Sequence, residues 1–184
     1  FESIDPENLK QMNKDWSLKL GERDELEQRS HKAGINIYAS FVFGFDFDNE
    51  KSFENCLEFS MRHQFFVAAY NHLLAFPGTE TYRRFEQEGR LVYPQWWLTE
   101  GYTYGTIPYT PKLLTESQLA GLCKQYKKKF FTFSSIRRRG KTLKTRTRRG
   151  FVGFAFWVAN LMLHFEVDKR FGIPLGGYLD ESKK

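Results

Sequence analysis

Apolar residues recur along this chain with two different periods, and the switches between them mark out the elements. Asp5-Pro6-Glu7 reads as a helix start, with Asp at the cap and Pro at the first helical position, and Leu9 and Met12 form a short apolar stripe. A second helix is predicted over Leu20–Lys32, stopped by Gly34, which supplies the left-handed residue of a C-cap. The run Ile35–Phe43 is rich in β-branched and aromatic residues and free of charge, the pattern of a strand buried on both faces in a parallel sheet. After Gly44 and an acidic turn (Asp46, Asp48) a helix is predicted over Glu50–His63, with Phe53, Cys56/Leu57 and Ser60/Met61 on one side. Phe66–Ala75 is a second candidate strand, closed by Phe76-Pro77-Gly78-Thr79, and Glu80–Glu88 is a helix stopped by Gly89. Strand, helix, strand and helix in this order predict βαβ units and an α/β fold.

From Arg90 the pattern changes. Residues 90–114 carry Pro94, Pro108 and Pro111 among closely spaced Trp and Tyr, which suits an ordered surface loop. Thr115-Glu116-Ser117-Gln118 has the form of a capping box. It opens a helix predicted over Thr115–Arg138, whose apolar positions Leu119, Leu122/Cys123, Tyr126, Phe130 and Phe133 recur at helical spacing. A basic linker, 139–149, and an almost uninterrupted apolar run, Gly150–Val167, complete the pattern. The organisation expected is therefore a βα segment, 1–89, and an extension, 90–184, made of an aromatic loop, helices and the linker.

Composition sets the scale of this picture. A chain of 184 residues that is 41% apolar and carries 19 Phe has the volume for a core, and its length excludes a large multidomain machine. Two isolated Cys, Cys56 and Cys123, exclude a disulfide framework and a four-thiolate metal site and suit a reducing, cytoplasmic compartment. The chain opens Phe-Glu-Ser without Met or an apolar leader, which suggests a fragment. Charge is unevenly spread: residues 1–64 hold 8 Lys/Arg against 13 Asp/Glu, and 65–184 hold 20 against 9. Lys124–Arg149 holds 12 basic residues and no acid, so this stretch seeks anions. Its aromatics, Tyr126, Phe130, Phe131 and Phe133, fall mostly on one helical face, which suits a core and argues against nucleic acid. Gly150–Val167 includes two Gly, Asn160 and His164 and stands at the lower edge of a bilayer-spanning length. It reads either as a hydrophobic helix capping the domain or as a helix lying peripherally in an anionic membrane surface. His164 reads as a satisfied core residue, and His31, His63 and His72 lack ligand spacing.

In a βα architecture chemistry gathers at the carboxyl ends of the strands. Glu2-Ser3, Phe43-Gly44-Phe45-Asp46 and Ala75-Phe76-Pro77-Gly78-Thr79 occupy such ends. Asp46 and Asp48 there are either turn and cap residues or metal-binding or acid–base carboxylates. Together with Phe1-Glu2-Ser3-Ile4-Asp5…Leu9-Lys10-Gln11-Met12-Asn13-Lys14, Ala33-Gly34-Ile35 and Ser40-Phe41-Val42-Phe43-Gly44-Phe45-Asp46, the string Phe76-Pro77-Gly78-Thr79-Glu80-Thr81-Tyr82 resembles the second half of a radical S-adenosylmethionine (SAM) barrel. In particular it is similar to the cobalamin-binding-domain branch of that superfamily. The stretch around Gly89-Arg90-Leu91, Trp96-Trp97 and Leu114-Thr115 resembles the C-terminal extension of those proteins.

That resemblance implies the last βα units of a partial (β/α) barrel followed by a mostly helical C-terminal extension. It implies that Glu2 and Ser3 face the SAM ribose or methionyl ammonium, that Lys14 meets the methionyl carboxylate, and that Ser40 contacts the ribose. Phe41, Val42 and Gly44 are then expected near the adenine, with backbone contacts from Ala75, and Trp96, Trp97, Tyr102 and Tyr104 either wall the substrate cavity or serve packing. The parent enzyme is expected to use SAM, a [4Fe–4S] cluster and, in this branch, cobalamin, for methyl transfer or rearrangement on a small-molecule or lipid-like substrate. The Cys-x3-Cys-x2-Cys cluster motif of the family does not occur in these residues, so this segment is expected to be inactive without the rest of its parent chain. The rival reading from the residues alone is a membrane-surface or anion-binding module acting through Lys124–Val167.

Overall fold

The cap and stop residues form the elements they announce. A computed structural model describes residues 2–18, 23–146 and 150–174. Helix α1 (Pro6–Gln11) is capped by Asp5, whose carboxylate accepts from the backbone N–H groups of Glu7 and Asn8. Helix α2 is Arg23–Lys32, and the expected start at Leu20 lies outside the described residues. Strand β1 (Tyr38–Phe43), helix α3 (Glu50–Arg62) and strand β2 (Val67–His72) make one βαβ unit. The strands pair in parallel, from Tyr38 opposite Val67 to Phe43 opposite His72. Helix α4 (Glu80–Gln87) follows, capped by Thr79. Helices α5 (Glu116–Phe130), α6 (Phe133–Arg146) and α7 (Gly150–Glu166) complete an α/β fold of seven α-helices and one two-stranded sheet among the described residues.

Three expectations are corrected. The strands are shorter than their apolar runs, because only Tyr38–Phe43 and Val67–His72 find ladder partners. Nor is β1 buried on both faces: Ala39, Phe41 and Phe43 are buried, whereas Tyr38, Ser40 and Val42 on the other face are partly open, and Tyr38 is 64% exposed. Helices α3 and α5 cover the first face. The predicted helix Thr115–Arg138 is two helices, α5 and α6, and the expected linker 139–149 is helical through Arg146, with 147–149 outside the described residues.

The core is aromatic. Phe43 stacks on Phe53 of α3 at 3.8 Å between ring centroids, Phe53 meets Tyr126 of α5 at 5.4 Å, and Tyr70 of β2 meets Phe130 at 6.1 Å. Each such ring contributes on the order of 2 kcal/mol by leaving water. Residues of both 1–89 and 90–174 share this core. The loop after α4 contains a 3-10 turn at Trp96–Leu98, and Leu91 and Tyr109 form an antiparallel bridge across it.

Candidate functional site

A cavity of about 530 Å³ opens where β1 and β2 end. Val42 and Phe45 line it from the end of β1, His72, Leu73 and Leu74 from the end of β2, Phe76, Glu80, Thr81 and Arg84 from the start of α4, and Glu2 with Gln11–Lys14 close the remaining side. The chain folds this way locally for identifiable reasons. The carbonyl of Glu2 accepts from Val42 N–H at 2.8 Å, which lays the N-terminal segment along the outer edge of β1. Asn13 takes a left-handed φ of 55° at the end of α1, and Lys14 N–H reaches back to Leu9 O at 2.8 Å. That reversal brings the Lys14 ammonium onto the Glu2 carboxylate at 2.5 Å, a half-exposed pair on the cavity wall.

Two buried carboxylates outside the cavity lining fix the turn after β1. Asp46 is buried and receives Arg84 at 3.2 Å, Arg90 at 2.8 Å, Lys112 at 2.9 Å and the Gln11 amide at 2.6 Å. Burial alone would raise its pKa, but the hydrogen bonds from Lys112, Arg90 and Gln11 and the charge of Arg84 outweigh this and hold it at about 2. Asp48 accepts from the backbone N–H groups of Gly44 (2.8 Å) and Phe45 (3.0 Å) and from the Asn8 amide (2.8 Å). Burial pushes its pKa up to about 6 against those donors. Both side chains are thus committed to pinning the turn after β1. Among the described residues no group of His, Cys, Asp or Glu is arranged to hold a metal ion. These contacts favour the turn-and-cap reading of Asp46 and Asp48.

His72 sits on the cavity wall, and burial pulls its pKa down to about 4, so it is a neutral imidazole at physiological pH. The other histidines are internally bonded. His31 Nε2 contacts His63 O at 2.7 Å, His63 Nε2 contacts Asp24 at 2.6 Å, and His164 Nδ1 contacts Phe131 O at 2.7 Å.

Of the residues expected to meet SAM, the fold gathers Glu2, Lys14 and Val42 on one cavity. Ser40 stands on the same sheet face as Val42, one step deeper. Ser3 lines a neighbouring space of about 120 Å³ with Asp48 and Cys56. The Phe41 ring points into the core on the opposite face. Gly44 is pressed against Tyr109, whose hydroxyl donates to the Gly44 carbonyl at 3.1 Å, and the Ala75 carbonyl accepts from Trp96 Nε1 at 3.1 Å. Trp96 packs on Phe76 at 5.4 Å, behind the cavity, and neither it nor Trp97, Tyr102 or Tyr104 lines it. Gln11, His72 and Arg84 escaped the sequence reading. Their position after or beside a strand end was the available signal, and no spacing pattern marks them.

The chain is 32% identical over 145 residues to the bacteriochlorophyllide d C-12(1)-methyltransferase of Chlorobaculum tepidum, an alignment covering 78% of this chain and 30% of that protein. It is 23% identical over 96 residues to the bacteriochlorophyllide d C-8(2)-methyltransferase of the same organism, covering 52% and 21%. To the hopanoid C-2 methylase of Rhodopseudomonas palustris it is 30% identical over 93 residues, covering 50% and 18%. The chain is homologous to the C-terminal portions of radical SAM methyltransferases of the cobalamin-binding branch. The match spans less than a third of the length of each of these relatives. No family model and no solved structure matches.

The radical SAM cofactors fit the chain unequally. The cavity offers a carboxylate, an ammonium and an apolar wall in one concave space, a donor set suited to an adenosyl sulfonium with its amino-acid tail. The cluster finds no such place: Cys56 and Cys123 are both buried, and burial pushes the Cys123 thiol far up, away from the thiolate a cluster requires.

Proposed function

We propose that this chain is the closing part of a radical SAM barrel in a longer methyltransferase, and that its cavity holds SAM. The supporting observation is the convergence of Glu2, Lys14 and Val42 at the carboxyl ends of two parallel strands. SAM, when bound, supplies the reactive methyl and adenosyl carbons. The residues of this chain bind and orient it: Glu2 accepts hydrogen bonds from ribose hydroxyls or the methionyl ammonium, Lys14 faces the methionyl carboxylate, and Val42 with Ser40 offers the strand face. Phe41, Gly44 and Ala75, buried and outside the cavity lining, support the strand ends behind it, and Ser3 lies beside Glu2 in the neighbouring space. The cluster thiolates belong to other parts of the longer protein, and cobalamin, which the branch implies, is assigned no residue here. Phe45, Leu73, Leu74 and Phe76 give the cavity an apolar wall, which suits a methyl acceptor with extended hydrocarbon surface. The relatives' names supply only the reaction class, methyl transfer. A cytoplasmic enzyme is the compartment that fits two free thiols.

Equilibrium dialysis of the full-length protein against radiolabelled SAM tests the site. Glu2→Gln and Lys14→Met are each expected to weaken binding by roughly tenfold, since each removes one charge-assisted hydrogen bond. Full affinity in both variants sinks the assignment of this cavity to SAM. A full-length sequence without Cys-x3-Cys-x2-Cys sinks the radical chemistry.

A further inference from the structure

Helix α7 is apolar on two opposite sides, and only one of them is covered. Its inner side buries Phe156, Asn160 and, just beyond its end, Val167. Asn160 Nδ2 donates to Phe66 O at 3.0 Å, and the Phe156 ring meets Phe66 edge-on at 5.2 Å. The outer side carries Phe151, Phe154, Val158, Met162 and Phe165, which at a helical turn of 3.6 residues form one stripe. Their exposures run from 40% to 80%. Phe133, at the start of α6, is also exposed and lies 6.4 Å from Phe165, so the stripe continues onto the neighbouring helix. Such a contiguous apolar surface on a chain this polar marks a contact surface.

Charge says what the contact is. Residues 117–165 contain no Asp or Glu, yet hold 12 Lys/Arg. Some of this charge is used internally: Arg139 is buried, and Lys124 and Lys128 pair with Asp168 at 3.1 and 2.7 Å. Arg137, Arg138 and Lys141 on α6 are exposed and have no carboxylate partner among the described residues. Trp157, at the flank of the stripe, packs near Gly140 of α6, where an added Cβ would stand 3.1 Å from its ring, so the cationic and aromatic surfaces adjoin. An aromatic stripe beside uncompensated cations matches the boundary between acyl chains and anionic headgroups. No helix among the described residues is long and apolar enough to cross a membrane, so the geometry is in-plane.

We propose that the α6–α7 hairpin docks on an anionic lipid bilayer, with Phe151, Phe154 and Phe165 in the headgroup–acyl boundary and Arg137, Arg138 and Lys141 at the phosphates. The surface shares no residue with the cavity at the strand ends, and the proposal stands apart from the SAM assignment.

Vesicle co-sedimentation of the full chain tests it, using phosphatidylcholine alone and phosphatidylcholine with phosphatidylglycerol in about a 3:1 ratio. Binding is expected to the anionic vesicles and about 100-fold or more weaker to the neutral ones. The variant R137Q/R138Q/K141Q is expected to lose about 100-fold in partitioning, and F151S/F154S/F165S at least about 100-fold. All six positions are exposed, and an unchanged near-UV circular dichroism spectrum verifies the fold of each variant. A readout independent of these variants is quenching by brominated lipid in the wild-type chain, which is expected to fall when Trp157→Phe removes the flanking indole. Equal binding to both vesicle types, or none to either, overturns the proposal. So does a concentration-dependent dimer abolished by F151S/F154S/F165S while vesicles leave the chain unbound, which would make the stripe an interface between copies.

Discussion

Arg139 is the side chain whose neighbourhood departs furthest from what its sequence context suggests. It stands in the run Arg137-Arg138-Arg139, yet it is 1% exposed and donates to five acceptors: the carbonyls of Phe65, Phe66 and Phe130, Asn160 Oδ1 and Ser135 Oγ. Its guanidinium lies 3.9 Å above the Phe130 ring. Burial pulls its pKa down to about 9, which leaves it charged at neutrality. The cation answers the negative end of α5, whose last carbonyl it binds, and no carboxylate is among its partners. Arg139→Ala leaves four buried carbonyl groups short of a donor, so a loss of about 3–5 kcal/mol is expected in urea unfolding. Arg139→Lys recovers only part, because an ammonium lacks the planar fork that reaches acceptors on three elements. An Ala variant within about 1 kcal/mol of the wild type contradicts this account. None of it was legible in the sequence, since three consecutive arginines differ only in which side of a helix they face, and the helix was read as ending at Arg138 with Arg139 opening a linker. Glu2 and Lys14 were singled out for a ligand, but their mutual pairing depends on the backbone reversal at Asn13, which no pattern announced.

At the scale of elements, the legible parts were those whose ends carry chemistry in their own side chains. Asp5 and Thr115, read as caps, accept from the first-turn N–H groups of their helices, and Asn49 and Thr79, which the sequence reading did not single out as caps, do the same. The break between α5 and α6 was missed because apolar spacing continues through it. It is made by Thr132, whose Oγ1 accepts from Ser135 N–H at 3.4 Å, and by Ser135 Oγ, which donates to Phe130 O at 2.6 Å. A Thr-x-x-Ser pair lacks the Glu or Gln that makes a capping box stand out. The junction of β1 with its following turn carries a sharper test. Gly44 has φ of 107°, and a Cβ placed there would stand 1.9 Å from the Tyr109 hydroxyl and 2.8 Å from Leu119 Cδ2. Gly44→Ala combines a disfavoured backbone with overpacking and is expected to cost about 3 kcal/mol or more in unfolding experiments. In a double-mutant cycle, Tyr109→Phe removes the nearest clashing atom, so the two changes should couple by about 1 kcal/mol or more. Strict additivity places the strain elsewhere.

The whole molecule is tied together at Asp46. Its carboxylate joins α1 through Gln11, α4 through Arg84, the start of the aromatic loop through Arg90 and the end of that loop through Lys112. Residues from 11 to 112 therefore meet on one buried anion, and two of them, Gln11 and Arg84, also line the cavity. Its pKa is held at about 2, below the usual 3.8. A depressed acid contributes stability that is fully present above its unfolded pKa and is lost as pH falls through the folded one, so the wild type should lose stability between about pH 4 and pH 2 on this account. Asp46→Asn keeps the shape and removes the charge, leaving Arg84 and Lys112 without their carboxylate and Arg90 with Glu88 alone, at 2.9 Å. A loss of about 3 kcal/mol is expected at pH 7, shrinking as the pH is lowered through the same window, because the wild-type carboxylate is by then protonated too. Urea titrations of both proteins at pH 7, 4 and 2 measure this directly. The two stability curves should converge at the acid end, and a gap that stays constant with pH would assign Asp46 to hydrogen bonding alone, with no electrostatic role in holding these residues together.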